Sequence, residues 1–148
     1  MSKTLHFQIT TPEKVVFDAP KAEAITLPTK MGEITILPDH LPIVSSLAPG
    51  EIRVKIGNEE ISMAVSGGFI EVRPGKVVVL ADSAERAEEI DEERAEEARK
   101  KALELMEKKH TEAVDYTALA SKLGKELARL KVVRKRRERR RLGSSTGQ

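Results

Sequence analysis

Cysteine and tryptophan are absent from the 148-residue sequence, and the other aromatic residues are scarce. Without cysteine the chain can form no disulfide, which favours a reducing, cytosolic setting. One tyrosine and three phenylalanines are too few for the stacked aromatic surface on which many proteins bind single-stranded nucleic acid. No apolar run approaches the roughly 18 residues of a membrane span, and the N-terminus lacks the apolar stretch of a secretory signal. These absences predict a protein without a membrane-spanning segment or a secretory signal.

The spacing of the apolar residues changes after about residue 87. Before this point they alternate with polar residues, as in Leu5, Phe7 and Ile9, and Gly and Pro interrupt them often. Pro38 and Pro42 belong at strand ends, since proline cannot donate to a central ladder. Turns every eight to twelve residues, including a tight hairpin loop at 57–58, predict an antiparallel sandwich or barrel.

The C-terminal part predicts two helices. The first should begin at Asp91, whose carboxylate can accept the free N–H groups of the first turn, and end near Lys109. The second should begin near Asp115 and contain Gly124, which costs up to about 1 kcal/mol relative to Ala. The short connection, 110–114, makes the helices antiparallel neighbours. The predicted seams of the two helices are formed by Ala95, Ala98, Ala102 and Leu105, and by Tyr116, Ala120, Leu123, Leu127 and Leu130.

The first seam consists mainly of alanine, which buries little apolar area. Isolated helices of this length are marginal in water. We therefore expect the hairpin to be stable only when it is docked on another surface, and to undock easily.

A strongly basic segment ends the chain, because every residue from Arg134 to Arg141 except Glu138 is Lys or Arg. Such a run is typical of a solvated, disordered end. It would also suit nucleic acid or anionic lipid. The sequence predicts three parts: a sandwich over 1–87, a helical hairpin over 88–135 and a basic flexible tail over 136–148.

Four ordered motifs resemble those of the ε subunit of F-type ATP synthase. They are GE-x-x-I-L-P-D-H-x-P-I, S-G-G-F-x-E-V, V-x-V-L-A-D-S-A-E-R and I-D-x-x-R-A. The first three lie in the half that is predicted to consist of short strands. The resemblance as a whole covers residues 3 to about 133. The resemblance implies a sandwich of about ten strands followed by an antiparallel two-helix hairpin. Thr35, where relatives often carry Gly, and the long basic tail depart from the family pattern.

The resemblance also implies a function. A subunit of this family sits on the central rotor stalk, binds the γ subunit and touches the membrane c-ring, at the cytoplasmic face of the cell membrane. Its helices fold against the sandwich or extend to the α/β catalytic head and inhibit ATP hydrolysis. It has no catalytic residues, requires no cofactor and binds no nucleic acid.

A regulatory ATP site is a further implication of the resemblance. The residues that match the nucleotide-binding positions of some relatives are Glu85, Ile90, Asp91, Arg94, Ala95, Lys125 and Arg129. Arg94 offers a planar set of donors for phosphate, whereas Lys125 stands where relatives carry Arg. The alternative is structural, with Asp91 capping a helix and Arg94 paired with Glu97 or solvated.

Two further sets of contacts follow from the resemblance. Glu33 and His40 are expected on loops that face the c-ring, with a solvated loop pair as the alternative. The basic residues expected to meet an acidic segment of the catalytic head are Arg134, Arg136, Arg137, Arg139 and Arg140. No spacing typical of a zinc site accompanies any of the histidines.

Two classes of function therefore remain at the level of sequence. One is a stalk subunit that couples and regulates an ATPase. The other is a free-standing sandwich with a basic helical arm for nucleic acid or acidic partners, which salt-dependent nucleic-acid binding would favour.

Overall fold

The computed structural model describes the backbone of residues 3–108 and 113–145, and the side chains of 3–108 and 117–143. Within these described residues ten strands precede two helices, and a short 3₁₀ turn, Ala87–Glu89, joins the two parts. The strands are β1 (Leu5–Thr10), β2 (Val15–Ala22), β3 (Ala24–Thr29), β4 (Gly32–Ile36), β5 (Ile43–Leu47), β6 (Gly50–Ile56), β7 (Glu59–Val65), β8 (Gly68–Arg73), β9 (Lys76–Ala81) and β10 (Ala84–Arg86). The helices are α1 (Glu92–Lys108) and α2 (Ala113–Ser145).

The strands form one continuous sheet that folds over to enclose its core. Their order is β10-β7-β6-β3-β5-β8-β9-β1-β2, and β4 pairs with β3. The predicted antiparallel pairing is found throughout except between β1 and β9, which run parallel with Phe7 opposite Val77. The parallel pair brings the two ends of the sandwich sequence together.

The alternating residues of β1 to β9 form the core, as the period-two pattern predicts. Phe7, Ile25, Ile52 and Ile70 are fully buried, each on a different strand. Phe7 packs against Phe17 with ring centroids 6.0 Å apart, which is a favourable tilted contact.

The predicted turns also lie where proline and glycine place them. Gly57 adopts a φ of 60° in the two-residue loop between β6 and β7, a conformation that favours glycine. Pro38 and Pro42 lie between β4 and β5. Pro28 lies inside β3, opposite Glu33 of β4.

The predicted start of the first helix is confirmed. The prediction of a flexible tail from residue 136 is wrong up to Ser145, because this segment is helical. Asp91 immediately precedes α1, whereas α2 continues for 33 residues through the basic segment. Lys and Arg are good helix formers, and carboxylates on the sheet and α1 lie opposite them. The connection predicted over 110–114 falls largely outside the described residues.

α2 packs both on α1 and on the outer face of β6 and β7. Ala128, Leu130 and Val132 are buried there, while Leu127 of the predicted seam is 48% exposed. In α1, Ala95 and Ala102 are buried, as predicted, but Leu105 is 42% exposed. The seam of α2 therefore differs from the prediction, because this helix faces two neighbours rather than one.

Candidate functional site

An arginine on α2 lies between two carboxylates at the contact between helix and sheet. Arg129 Nε is 2.6 Å from Glu85 Oε2 on β10, and its Nη1 is 2.8 Å from Glu126 Oε2 one helical turn earlier. The Glu126 side chain is 6% exposed. Burial alone would lower the pKa of Arg129, but the two carboxylates outweigh it and raise the pKa above its usual value. Arg129 therefore carries a permanent, partly buried positive charge.

Two of the predicted ATP residues, Glu85 and Arg129, are thus in contact. Lys125 and Glu85 line the same cleft, together with the β1–β2 turn at Pro12. The remaining four residues lie at the start of α1. Within the described part of the chain, no ion pair or hydrogen bond joins this second group to Arg129.

At the start of α1, Asp91 acts as a helix cap. Its Oδ1 accepts a hydrogen bond from the Arg94 backbone N–H at 3.1 Å, and its carbonyl accepts one from the Ala95 N–H at 3.0 Å. Ile90 packs against Ala64, Ala87 and Val132. The Arg94 side chain is exposed. Asp91 therefore has the structural role that was the alternative to ATP binding, although its second carboxylate oxygen is left for another partner.

The pair predicted to face the c-ring lies at the β4–β5 end of the sandwich. Glu33 on β4 accepts a hydrogen bond from Arg53 at 2.7 Å, and His40 Nδ1 donates to the Leu41 carbonyl at 2.7 Å. Large apolar side chains are exposed around them: Met31 is 97% and Leu41 79% exposed. This end of the sandwich combines charge with apolar surface that is not covered within the described chain.

Four cations of the basic segment of α2 are paired with carboxylates of the chain. Lys135 Nζ is 2.9 Å from Glu51, Arg136 is 3.3 Å from Glu88, and Arg139 is 2.7 Å from Glu60. Arg134 reaches Glu92 and Glu96 on α1 at 3.9 and 3.5 Å. These contacts join α2 to β6, β7, the 3₁₀ turn and α1.

Arg137 and Arg140 differ from their neighbours on the same helix. Both are exposed, and in the described chain no carboxylate lies within ion-pair distance of either. The five arginines predicted to act together therefore fall into two groups, one engaged with the chain itself and one directed to solvent.

Glu51 is a buried carboxylate that the sequence analysis missed. It stands at an outward-facing position of β6, where alternation predicts exposure, yet its side chain is 2% exposed because α2 covers it. Burial tends to raise the pKa of Glu51, but Lys135, the Ser62 hydroxyl and Arg139 outweigh it and hold the pKa below the usual value of a glutamate. The alternation of β6 carries no signal for this burial, since the covering helix lies 84 residues away.

A second surface that the described chain does not cover lies on β5, β8 and β9. Phe69 of β8 pairs with Leu80 of β9 and with Ser46 of β5. Val44, Phe69 and Leu80 are 72%, 60% and 56% exposed. Neighbouring exposed apolar side chains of this size are typical of a protein interface.

Neither a metal cluster nor a membrane-spanning helix is found in the described residues. No group of three or more His, Cys, Asp or Glu side chains is arranged to hold an ion. None of the described helices combines the length and the apolar character that crossing a membrane demands.

Two family models together match most of the chain. The β-sandwich domain of the ATP synthase Delta/Epsilon chain matches residues 4–87, and its long α-helix domain matches residues 88–134. The basic residues from Lys135 onward follow the end of the second match.

Curated relatives and solved structures agree with these matches. An ATP synthase epsilon chain of Dehalococcoides mccartyi is 47% identical over 134 residues, which are 90% of this chain and 95% of the relative. One from Desulforamulus reducens is 43% identical over 131 residues, 88% of this chain and 98% of the relative.

Among solved structures, a chain of the Euglena gracilis mitochondrial ATP synthase (OSCP/F1/c-ring) aligns with a TM-score of 0.75 at 25% identity, covering 85% of this chain and 79% of that one. A chain of the Tetrahymena thermophila mitochondrial ATP synthase central stalk and c-ring, at 13% identity and a TM-score of 0.58, shares the fold. The resemblance inferred from the sequence motifs is confirmed. The chain belongs to the family of ATP synthase delta/epsilon chains.

Proposed function

We propose that the chain is a non-catalytic subunit of the rotor stalk of F-type ATP synthase that couples proton transport to ATP synthesis. In this role its helices inhibit ATP hydrolysis when they leave the sandwich and extend to the α/β catalytic head. The subunit would lie at the cytoplasmic face of the cell membrane, held there through the complex. Its membership of the ATP synthase delta/epsilon family supports the assignment to this enzyme.

The observation that carries the regulatory role is the nature of the contact between α2 and the sheet. Its buried apolar cluster is small and consists of Val132 against Ala64 and Ala87, with Ile90 packed on it. Small apolar side chains contribute little at roughly 25 cal/mol per Å² of buried area. Ion pairs supply the rest, and ionic contacts can be exchanged for contacts with another charged surface. The helix is therefore suited to a reversible change of partner.

Two exposed surfaces support the proposed partners. The apolar patch of Val44, Phe69 and Leu80 would bind the γ subunit, since continuous apolar side chains favour a lasting interface. The β4–β5 end, with Glu33 and His40, would face the polar loops of the c-ring. The two surfaces belong to different parts of the sheet, so both partners can bind at once.

ATP is proposed as a regulatory ligand of the compact form. Its phosphates would engage Arg94 and Arg129, and Asp91 would accept a hydrogen bond from the nucleotide. Because Arg129 is already paired with Glu85 and Glu126, ATP must displace at least one carboxylate. This competition predicts a weaker affinity than a free arginine would give.

Truncation tests the proposed function. A chain ending after Ala87 keeps every strand of the sandwich and is expected to bind γ and support proton-coupled synthesis. Assembled enzyme with this chain should hydrolyse ATP faster than enzyme with the full chain. A chain ending at Gly143 is the control and should behave as the full chain does. Equal hydrolysis with and without the helices would refute the inhibitory role.

A further inference from the structure

The carboxylate of Glu51 is buried only because α2 lies over it. Glu51 faces outward from β6, and its side chain is 2% exposed in the docked arrangement. Removal of α2 would return this carboxylate to water. Docking therefore transfers a charge from water into the contact, which is costly unless the charge is paired.

Two cations of α2 meet this charge. Lys135 Nζ lies 2.9 Å from Glu51 Oε2, and Arg139 Nη2 lies 3.7 Å from Oε1. Residues 135 and 139 are four apart, so they share one face of the helix. Arg139 also contacts Glu60 at 2.7 Å and donates to the Ser62 hydroxyl at 3.2 Å. One helical turn thus supplies both partners of the buried carboxylate.

A third cation near Glu51 belongs to the sheet itself. Arg53 Nη1 lies 3.5 Å from Glu51 Oε2, and Arg53 also donates a shorter hydrogen bond of 2.7 Å to Glu33. Arg53 is present whether or not α2 is docked, so it does not favour one state. The difference between docked and released helix rests on Lys135 and Arg139.

The other ion pairs of the basic segment are more exposed. Glu88, the partner of Arg136, is 69% exposed, and Arg134 is 61% exposed. Pairs of this kind contribute little to stability in water. Glu51 is different, because loss of both helix cations would leave its buried charge with Arg53 alone, at 3.5 Å.

We propose that Lys135 and Arg139 form an ionic latch with the buried Glu51, which holds the helical hairpin docked on the sheet without a bound nucleotide. The latch goes beyond the proposed regulation by ATP, because it makes the compact form a property of the chain itself. Its two cations lie after residue 134, where the match to the family's helical domain ends. Release of the helical hairpin is therefore controlled by a contact that lies outside the matched domain.

The latch can be measured in the isolated full-length chain. Because cysteine is absent, Asn58→Cys and Gly143→Cys supply a single pair of dye sites, both at exposed positions. Gly143 lies one turn after Arg139, which contacts Glu60 near the 57–58 loop, so energy transfer is high when α2 is docked. A urea titration below the unfolding of the sandwich brings even a strongly docked helix into the measurable range.

K135Q/R139Q is expected to shift the docking equilibrium toward release about tenfold or more, the effect of losing charged hydrogen bonds. R137Q/R140Q removes the same charge from the same helix and should leave energy transfer unchanged. Adding Glu51→Gln to K135Q/R139Q should restore most of the docking, because no unpaired charge is then buried.

Two results would overturn the latch. One is wild-type energy transfer in K135Q/R139Q across the urea titration. The other is an equal loss in K135Q/R139Q and R137Q/R140Q, which would assign the effect to net charge. Neither depends on ATP hydrolysis, so failure of the latch and failure of the inhibitory role are separate outcomes.

Discussion

Lys135 and Glu51 form an ion pair of 2.9 Å across the contact between helix and sheet, although 84 residues separate them in the chain. The carboxylate is 2% exposed, whereas the ammonium group belongs to a side chain that is 35% exposed. The pair joins the last part of the second helix to an outward-facing position of β6. It makes docking of the helix dependent on charge, and charge can be changed by acid, salt or substitution.

Acid should release the helix through Glu51. Burial tends to raise its pKa in the docked state, but Lys135, Ser62 and Arg139 outweigh burial and hold the pKa below the usual value of a glutamate. Release of α2 would return the pKa toward that usual value. A carboxylate with a lowered pKa stabilises the docked state fully above the released value, and this stabilisation is lost as the pH falls through the lowered value. Energy transfer between dyes at residues 58 and 143 should fall on acidification through the lowered pKa of Glu51.

The matched control is Glu51→Gln, which removes the titrating group with little change of shape. The acid-induced fall should be smaller in this variant. An identical acid profile in the two proteins would show that other carboxylates control release.

Gly124 should be replaceable by alanine with a gain in stability. It lies inside α2, and an added Cβ would meet Pro49 at 3.6 Å, an ordinary contact distance. Gly124→Ala should raise the free energy of unfolding by up to about 1 kcal/mol, the difference in helix propensity. Chemical denaturation followed by far-UV circular dichroism measures it. Lower stability would mean that the contact with Pro49 has no room for a methyl group.

ATP affinity tests the nucleotide site. Arg94→Ala and Arg129→Ala should each weaken ATP binding roughly tenfold or more, because each removes a charged donor. Calorimetry of the isolated chain with ATP, with and without magnesium, measures the affinity. Lys101→Ala, an exposed cation of α1, is the control and should change little.

The opposite change in ATP affinity is expected for Glu126→Gln. Glu126 holds Arg129 at 2.8 Å, and its neutralisation frees that donor for phosphate. ATP should therefore bind more tightly to this variant. Weaker binding would place Glu126 among the residues that support the nucleotide rather than compete with it.

Replacement of Glu33 and His40 by alanine together should weaken coupling of proton flow to ATP turnover. Both lie at the β4–β5 end of the sandwich and make contacts near the surface, so the fold should remain intact. Proton pumping by reconstituted enzyme measures the effect, and circular dichroism of the subunit checks the fold. Unchanged pumping would remove this end of the sandwich from the proposed c-ring contact.

Local patterns predicted most of the fold. Alternation placed the core strands, proline and glycine placed the turns, and Asp91 marked the start of α1. Such features depend on neighbouring residues, so a sequence displays them directly. The parallel pairing of β1 with β9 brings together strands from the two ends of the sandwich and has no local signal.

The basic segment shows where sequence reasoning stopped. A run of like charge is expected to repel itself and remain disordered, and 136–148 was predicted accordingly. The carboxylates that pair with Lys135, Arg136 and Arg139 come from β6, β7 and the 3₁₀ turn. Only the tertiary structure brings these carboxylates opposite α2. The same reason hid the burial of Glu51 and the pairing of Glu85 with Arg129.

Hydrolysis by the assembled enzyme at intermediate ATP concentration tests the central claim most directly, with two charge-matched variants. K135Q/R139Q loses the latch and should favour extension, so that hydrolysis falls below wild type. R137Q/R140Q keeps the latch but loses two exposed charges proposed to meet the catalytic head, so hydrolysis should rise and become less sensitive to salt. Opposite shifts are the predicted result. Shifts in the same direction, or no shift in either variant, would contradict a helix held by its own sheet and released toward the head.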